Sequence, residues 1–169
     1  YTGIQYQYSA DKEVDYLSFT STDEDEINAR LNWVAFKQQF FSAILIAKEG
    51  FDKPTTLTSI TTSEDSKFIK DLAVNFKIPY RHKTNEQLNF QFYFGPNHYK
   101  TLKSYNSGFE ELVPLGWGIF GWVNQYIIIN IFDFLRNSAG IKNYGLIILL
   151  LTLIIKIGLA PFTYKAFLS

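Results

Sequence analysis

The sequence contains no cysteine and no methionine, and only two of its 169 residues are histidine. Without cysteine the chain forms neither a disulfide framework nor a thiolate metal site, so composition gives no sign of an oxidising compartment. His82 and His98 stand apart in the sequence and belong to no cluster with metal-ligand spacing. The missing methionine and the start at Tyr1 lead us to expect an internal fragment of a longer protein.

The short motifs of common enzymes are also missing. The sequence has no nucleophile elbow, no phosphate-binding glycine loop and no zinc-binding helix motif. Carboxylates are plentiful, but nothing in their spacing pairs two of them in a cleft, as a glycosidase requires. We therefore predict no catalytic residue, no metal site and no cofactor, and we expect that the chain is not an enzyme.

Positive and negative charges balance over the whole chain but not along it. Residues 1–113 contain 12 Lys and Arg against 15 Asp and Glu, whereas residues 114–169 contain 4 against 1. The acidic first region lacks the clustered Lys and Arg of a nucleic-acid-binding surface, so we expect no nucleic acid partner.

Residues 1–113 have the pattern of a mainly β domain. Short runs of aromatic and β-branched residues are separated by Asp, Lys, Thr, Ser, Asn and Pro, which is typical of strands. We predict strands at residues 4–8, 40–47 and 89–94. We expect antiparallel sheets packed as a β-sandwich, of which this chain holds a part.

Two stretches of this region depart from the β pattern. Residues 23–37 begin with acidic side chains, as helices often do, and residues 97–105 follow a Gly-Pro stop, so we predict a helix in each. The run Asp23-Glu24-Asp25-Glu26 lacks the spacing of a calcium-binding loop. We interpret it as a solvated loop or a helix start.

Residues 114–140 change to an amphipathic pattern. Polar side chains recur at helical spacing among aromatic and aliphatic ones and form a stripe: Tyr126, Asn130, Asp133 and Asn137. A helix in the membrane–water interface keeps this stripe wet, whereas a helix that crosses the membrane places it in hydrocarbon. We favour the interface and keep crossing as the alternative. The predicted membrane-facing residues are Trp117, Phe120, Trp122, Ile127, Ile131 and Phe134.

Residues 141–169 predict a transmembrane helix. At about 1.5 Å per residue, the apolar stretch from Tyr144 to Leu168 reaches about 37 Å, enough to cross roughly 30 Å of hydrocarbon. Lys156 stands at its midpoint and costs about 2.5–3.5 kcal/mol on the insertion scale. The Leu and Ile side chains of the stretch return roughly 3–7 kcal/mol, so the helix should insert despite the charge.

The neighbours of Lys156 on the helix surface are small or polar. Gly145, Thr152, Ala160 and Thr163 each fall within about 40° of it around the helix axis, and the opposite face is Leu and Ile. A stripe centred on a cation is typical of a water-containing groove or a polar helix–helix contact. Two alternatives stay open: Lys156 lines a functional groove, or it snorkels or pairs with a carboxylate and only holds a bundle together.

These segments resemble the YidC-type membrane protein insertases of the bacterial inner membrane. The motifs that carry the resemblance are Gly116-Trp117-Gly118-Ile119-Phe120, Asn143-Tyr144-Gly145, Leu151-Thr152-Leu153-Ile154-Ile155-Lys156 and Ala160-Pro161-Phe162-Thr163-Tyr164-Lys165. Upstream, Asn32-Trp33-Val34-Ala35, Gln39-Phe40-Phe41 and Phe94-Gly95-Pro96 are similar to the periplasmic domain of the same family.

The resemblance implies a periplasmic β-supersandwich, an interfacial helix and the first of five core helices in a multi-pass inner-membrane protein. It implies a hydrophilic groove in which a cation on this helix receives polar parts of an incoming protein. Lys156 falls where the family commonly has arginine, so the charge is kept but the bidentate fork is lost. The implied partners are nascent membrane proteins and the lipid bilayer, with the Sec translocon and the ribosome reached through parts outside this chain.

A binding module is the competing interpretation. A single-pass envelope protein, with a carbohydrate- or peptide-binding β domain and a membrane anchor, would have the same soluble fold, because fold does not imply function. The sequence after Ser169 separates the two, since four further spans indicate an insertase and a short charged tail indicates an anchored receptor.

Overall fold

The computed structural model describes residues 2–63 and 66–168. Tyr1 and Ser169, which bear on the expectation of an internal fragment, lie outside the described residues. The chain divides into two compact units, Tyr1–Val113 and Pro114–Ser169, and each is described by itself.

Seven antiparallel strands make up most of the described part of the first unit. They are β1 (Gly3–Tyr8), β2 (Val14–Tyr16), β3 (Asp23–Ile27), β4 (Leu31–Lys37), β5 (Phe41–Thr61), β6 (Lys70–Lys77) and β7 (Phe90–Pro96). A short helix (Tyr99–Ser104) and a 3₁₀ turn (Phe109–Leu112) follow them.

Strand β5 belongs to both sheets of the unit. Its first part pairs with β4 and β7, and its second part pairs with β3 and β6. A bulge separates the two parts, because Leu31 faces Phe51 whereas Trp33 faces Ile46. Gly50 lies in this bulge with a left-handed φ of 75°, and a Cβ there would stand 3.2 Å from the carbonyl oxygen of Leu31. One bent strand therefore joins the sheets into a sandwich.

Two clusters of buried side chains stabilise the unit. The first lies between the two sheets and consists of Ile4, Tyr6, Leu17, Ile27, Leu31, Val34, Ala47, Phe51 and Leu57. The second packs the other face of the larger sheet against the short helix and the 3₁₀ turn: Trp33, Ala35, Ile44, Tyr93, Leu102, Phe109 and Leu112. Trp33 is only 1% exposed, and its Nε1–H donates to the carbonyl of Ser107 at 2.8 Å.

The β-sandwich prediction is confirmed, and so are the three predicted strands, which lie in β1, β5 and β7. The predicted helix at residues 97–105 is also present, as Tyr99–Ser104. His98 caps it, because its ring nitrogen accepts a hydrogen bond from the Thr101 N–H.

The predicted helix at residues 23–37 is wrong, because these residues form strands β3 and β4. Strand β3 pairs with Thr55–Ser59 at the edge of its sheet, so the acidic run is neither a loop nor a helix start. Exposed acidic side chains are favourable at a sheet edge because they discourage pairing with another chain. A run of acidic residues is common both at the start of a helix and at the edge of a sheet. Only pairing with distant residues decides which of the two structures forms.

Two helices make up most of the described part of the second unit. The amphipathic helix (Gly118–Ser138) alternates α-helical with π-helical turns. The apolar helix (Tyr144–Leu168) is α-helical throughout and continues past Pro161. The rings of Phe132 and Tyr144 stack with centroids 6.2 Å apart, so the two helices contact each other beside their connection.

Candidate functional site

Lys156 lies in the middle of the apolar helix and its side chain is exposed. The other residues of its stripe, Gly145, Thr152, Ala160 and Thr163, are exposed too. The less exposed residues point away from this stripe: Ile147, Leu150, Leu151 and Ile155. The face centred on Lys156 is therefore a face that the described part of the chain leaves uncovered.

The two threonines of the stripe bond to their own helix. Thr152 Oγ1 donates to the carbonyl of Ile148 at 2.8 Å, and Thr163 Oγ1 donates to that of Leu159 at 3.1 Å. Such bonds satisfy the hydroxyl group without an outside partner. The polarity of the stripe is therefore concentrated at Lys156, and the helix as a whole has almost no amphipathicity.

Gly145 and Pro161 have local roles in this helix. Asn143 Oδ1 accepts from the Leu146 N–H at 3.2 Å and caps the helix, and a Cβ at Gly145 would stand 3.2 Å from that oxygen. Pro161 has no N–H and so cannot donate to the carbonyl of Ile157. This carbonyl directly follows Lys156 in the chain and adds polarity beside its charge.

The predicted membrane-facing residues of the amphipathic helix are large and mostly exposed. Trp117 is 83% exposed, and Phe120, Trp122, Ile127 and Phe134 are exposed as well, while Ile131 is half-buried. An apolar surface of this density is unfavourable in water and favourable against a bilayer.

Whether the amphipathic helix lies in the interface or crosses the membrane stays a prediction. By length and composition, both it and the apolar helix are suited to crossing. Asn124 Nδ2 donates to the Leu115 carbonyl at 2.7 Å, and Asn130 Nδ2 donates to the Tyr126 carbonyl at 2.9 Å. These bonds lower the cost of placing both amides in hydrocarbon. The two asparagines are therefore weaker evidence for an interfacial helix than the sequence suggests.

Both histidines have local surroundings in the β unit. His98 caps a helix, and the exposed His82 lies edge-on to Tyr80 with ring centroids 4.5 Å apart. Across residues 2–63 and 66–168, no group of three His, Cys, Asp or Glu side chains is placed to hold a metal ion.

The sequence did not lead us to predict an exposed aromatic face on β4, β5 and β7. Phe36, Phe41 and Phe94 line a shallow cavity of about 530 Å³, and Phe92 stacks on Phe94 with ring centroids 5.7 Å apart. Phe94 is 73% exposed. The signal was available, because Phe92 and Phe94 alternate with the buried Tyr93 and so place aromatic rings on both faces of β7.

A second feature absent from the sequence analysis lies at the connection of the two helices. The guanidinium carbon of Arg136 stands 5.4 Å from the ring centroid of Tyr144, and the Tyr144 ring also stacks on Phe132. These residues are eight or more positions from Tyr144, so only the turn between the helices brings them together.

Comparison with known proteins decides the family. A family model described as the YidC periplasmic domain matches residues 1–129. The chain belongs to the YidC periplasmic domain family. The match covers the whole β unit and the start of the amphipathic helix, and it confirms the resemblance inferred from the motifs.

Full-length relatives extend the match over the apolar helix. The membrane protein insertase YidC of Parabacteroides distasonis is 44% identical over 177 aligned residues, which cover 100% of this chain and 27% of the relative. That of Bacteroides fragilis is 40% identical over 98% of this chain and 27% of its own length. That of Porphyromonas gingivalis is 36% identical over 100% of this chain and 28% of its own length. This YidC-family chain spans about a quarter of the length of these relatives.

Proposed function

We propose that this chain is part of a multi-pass membrane protein insertase of the bacterial inner membrane. Residues 1–113 form its periplasmic β domain, residues 114–140 its interfacial helix and residues 141–169 the first helix of its membrane core. The similarity to membrane protein insertases supports the general activity. The observation that carries the mechanism is Lys156, one cation at the middle of an apolar helix, on a face that the described residues leave uncovered.

The mechanism that follows is physical, and no covalent step is needed. A cation in a groove of low dielectric attracts acidic or polar segments of a nascent membrane protein and lowers their cost of entering the membrane. The apolar segment of the same substrate then passes into lipid. Catalytic residues, metals and cofactors have no part in this proposal. Contacts with the Sec translocon or the ribosome belong to parts of the protein outside this chain.

The lysine itself sets a condition on the groove. An ammonium group is strongly hydrated, and placing it away from water is costly. We therefore expect the groove around Lys156 to contain water. The carbonyl of Ile157, which Pro161 leaves without its helical donor, helps to hold water beside the ammonium group.

Substitutions at Lys156 test the proposal in the full-length protein. Lys156→Arg should insert substrates normally, because the charge and the long stem remain. Lys156→Leu should accumulate normally in the membrane, since removing the central charge favours integration by about 3 kcal/mol. It should nevertheless lose insertion, most severely for substrates with acidic translocated segments. Insertion is measured by protease protection of a radiolabelled substrate.

Lys165→Leu is the matched control, because it removes a cation from the end of the same helix and should leave insertion intact. If Lys156 is instead a structural partner, leucine would leave a buried carboxylate unpaired at a cost of about 3–5 kcal/mol, and the protein level would fall. Normal protein level with full insertion of every substrate would disprove a role for the Lys156 charge.

A further inference from the structure

The connection between the two helices holds a preformed cationic group. Phe132 and Tyr144 stack with an angle of 23° between their rings, and the Arg136 guanidinium lies 5.4 Å from the Tyr144 centroid. Arg136 is exposed, and Tyr144 is 53% exposed. The ring contact therefore favours one position of the guanidinium without burying it.

A guanidinium held this way is suited to a phosphate group. Arg136 contacts the ring through the centre of its guanidinium, and the N–H groups of an exposed guanidinium match two oxygens of one phosphate. Because the ring contact restricts the side chain beforehand, less conformational entropy is lost on binding. A lysine at this position would keep the charge but lack the two-point geometry.

Lys142 adds a second exposed cation to the same connection, two residues before Tyr144. The whole second unit carries 4 Lys and Arg against the single carboxylate of Asp133, so its field favours anions. The connection directly precedes an apolar helix long enough to cross a bilayer. In a membrane it therefore lies at the polar boundary, at the depth of the lipid phosphates.

We propose that Arg136, held by Tyr144, and Lys142 form a binding site for the phosphate of an anionic lipid headgroup. The bound lipid would fix the depth and rotation of the apolar helix, and with them the position of Lys156. This inference rests on the proposed function only in placing the second unit in a membrane, and it does not depend on insertase activity.

The test measures lipid binding to the full-length protein in nanodiscs of neutral phosphatidylcholine that contain a minor fraction of phosphatidylglycerol. Native mass spectrometry counts the phosphatidylglycerol molecules retained after release. Arg136→Gln and Lys142→Gln should each weaken retention about fivefold, and the double variant about 25-fold. Tyr144→Phe should retain the lipid, because the ring remains. Tyr144→Leu should bind the lipid several-fold more weakly, although both charges are present.

The matched control is the double variant Lys48→Gln with Lys83→Gln, which removes two exposed cations of the β unit and should bind lipid normally. An equal loss of lipid binding in this control would contradict the proposed site. Unchanged lipid binding in the Arg136 and Lys142 variants would contradict it as well. Displacement of the lipid by millimolar inorganic phosphate would show a free-phosphate site and overturn the lipid assignment. Substrate insertion, measured in parallel, reports on the proposed function separately.

Discussion

Lys37 and Lys70 show how differently one residue type is accommodated in the β unit. The ammonium group of Lys70 donates to the carbonyls of Ser18 and Ser21, at 2.8 and 3.0 Å, and to Ser59 Oγ at 3.1 Å. Lys37 is only 4% exposed, and its ammonium lies 5.0 Å from the ring centroid of Phe19. Burial lowers the pKa of both side chains from the ordinary value of 10.5, and the charge of Asp23 partly offsets this for Lys70. A ring face replaces lost water less well than three oxygen acceptors do.

Lys37→Met should therefore stabilise the β unit near neutral pH, by about 1 kcal/mol, because it removes the desolvation cost of a buried charge. In the parent protein, the unfolded state holds this proton more tightly than the folded state does. Stability should then rise with pH between the lowered pKa of Lys37 and 10.5, and this rise should be smaller in Lys37→Met, where only Lys70 still contributes a lowered lysine pKa. Hydrogen exchange of the β4 amides measures both effects. Lower protection in the methionine variant would mean that the contact with Phe19 outweighs the desolvation.

The start of the amphipathic helix depends on a close contact between two glycines. A Cβ at Gly121 would stand 2.5 Å from the carbonyl oxygen of Gly116, which is backbone and cannot move aside cheaply. Gly116 itself has a φ of 94°, in the left-handed region. Asn124 closes the same turn through its bond to the Leu115 carbonyl. Two contacts therefore fix the direction in which the chain enters the helix.

Gly121→Ala should open this turn. Chymotrypsin cleavage after Leu115 and Trp117, in intact protein in membrane vesicles, should become several-fold faster because the segment loses its bond to the helix. Gly158→Ala is the control, since a Cβ at Gly158 meets nothing within 4 Å. Equal cleavage of both variants and the parent would mean that the turn does not need Gly121.

Cysteine labelling distinguishes an interfacial amphipathic helix from a crossing one. Because the parent chain has no cysteine, single cysteines at Ile127 and Asn130 give unambiguous signals in residues 1–169. A helix in the interface should expose position 130 to a water-soluble thiol reagent and protect position 127. Equal protection of both positions would indicate a helix that crosses the membrane or is fully buried.

For the whole molecule, we expect the β unit to be dispensable for insertion, because the proposed charge lies on the apolar helix. The β unit ends at Val113, so a deletion that removes it should end there. A cut at residue 90 would leave β7 without its partner β5 and expose the buried Tyr93 and Phe109. Deleting residues 1–113 from the full-length protein should retain insertion, measured again by protease protection. Normal expression with abolished insertion would assign the β unit a direct role.

Local patterns predicted those parts of the molecule whose structure depends on neighbours in sequence. The alternation of residues 4–8 and 89–94 predicts strands, and the length of the apolar run from Tyr144 predicts a helix. Strand β3 was missed because its partner, Thr55–Ser59, lies some thirty residues away. At the candidate site, sequence located Lys156 and its stripe. It gave no account of where the hydroxyl of Thr152 would bond.

Strand β5 has a mechanical consequence. It pairs directly with four of the other six strands described in the β unit, and its two parts belong to different sheets. Neither sheet can separate from the other while this strand is intact, because its backbone is continuous through both. Tension applied along the chain therefore cannot part the two sheets before at least one of the four ladders of β5 breaks.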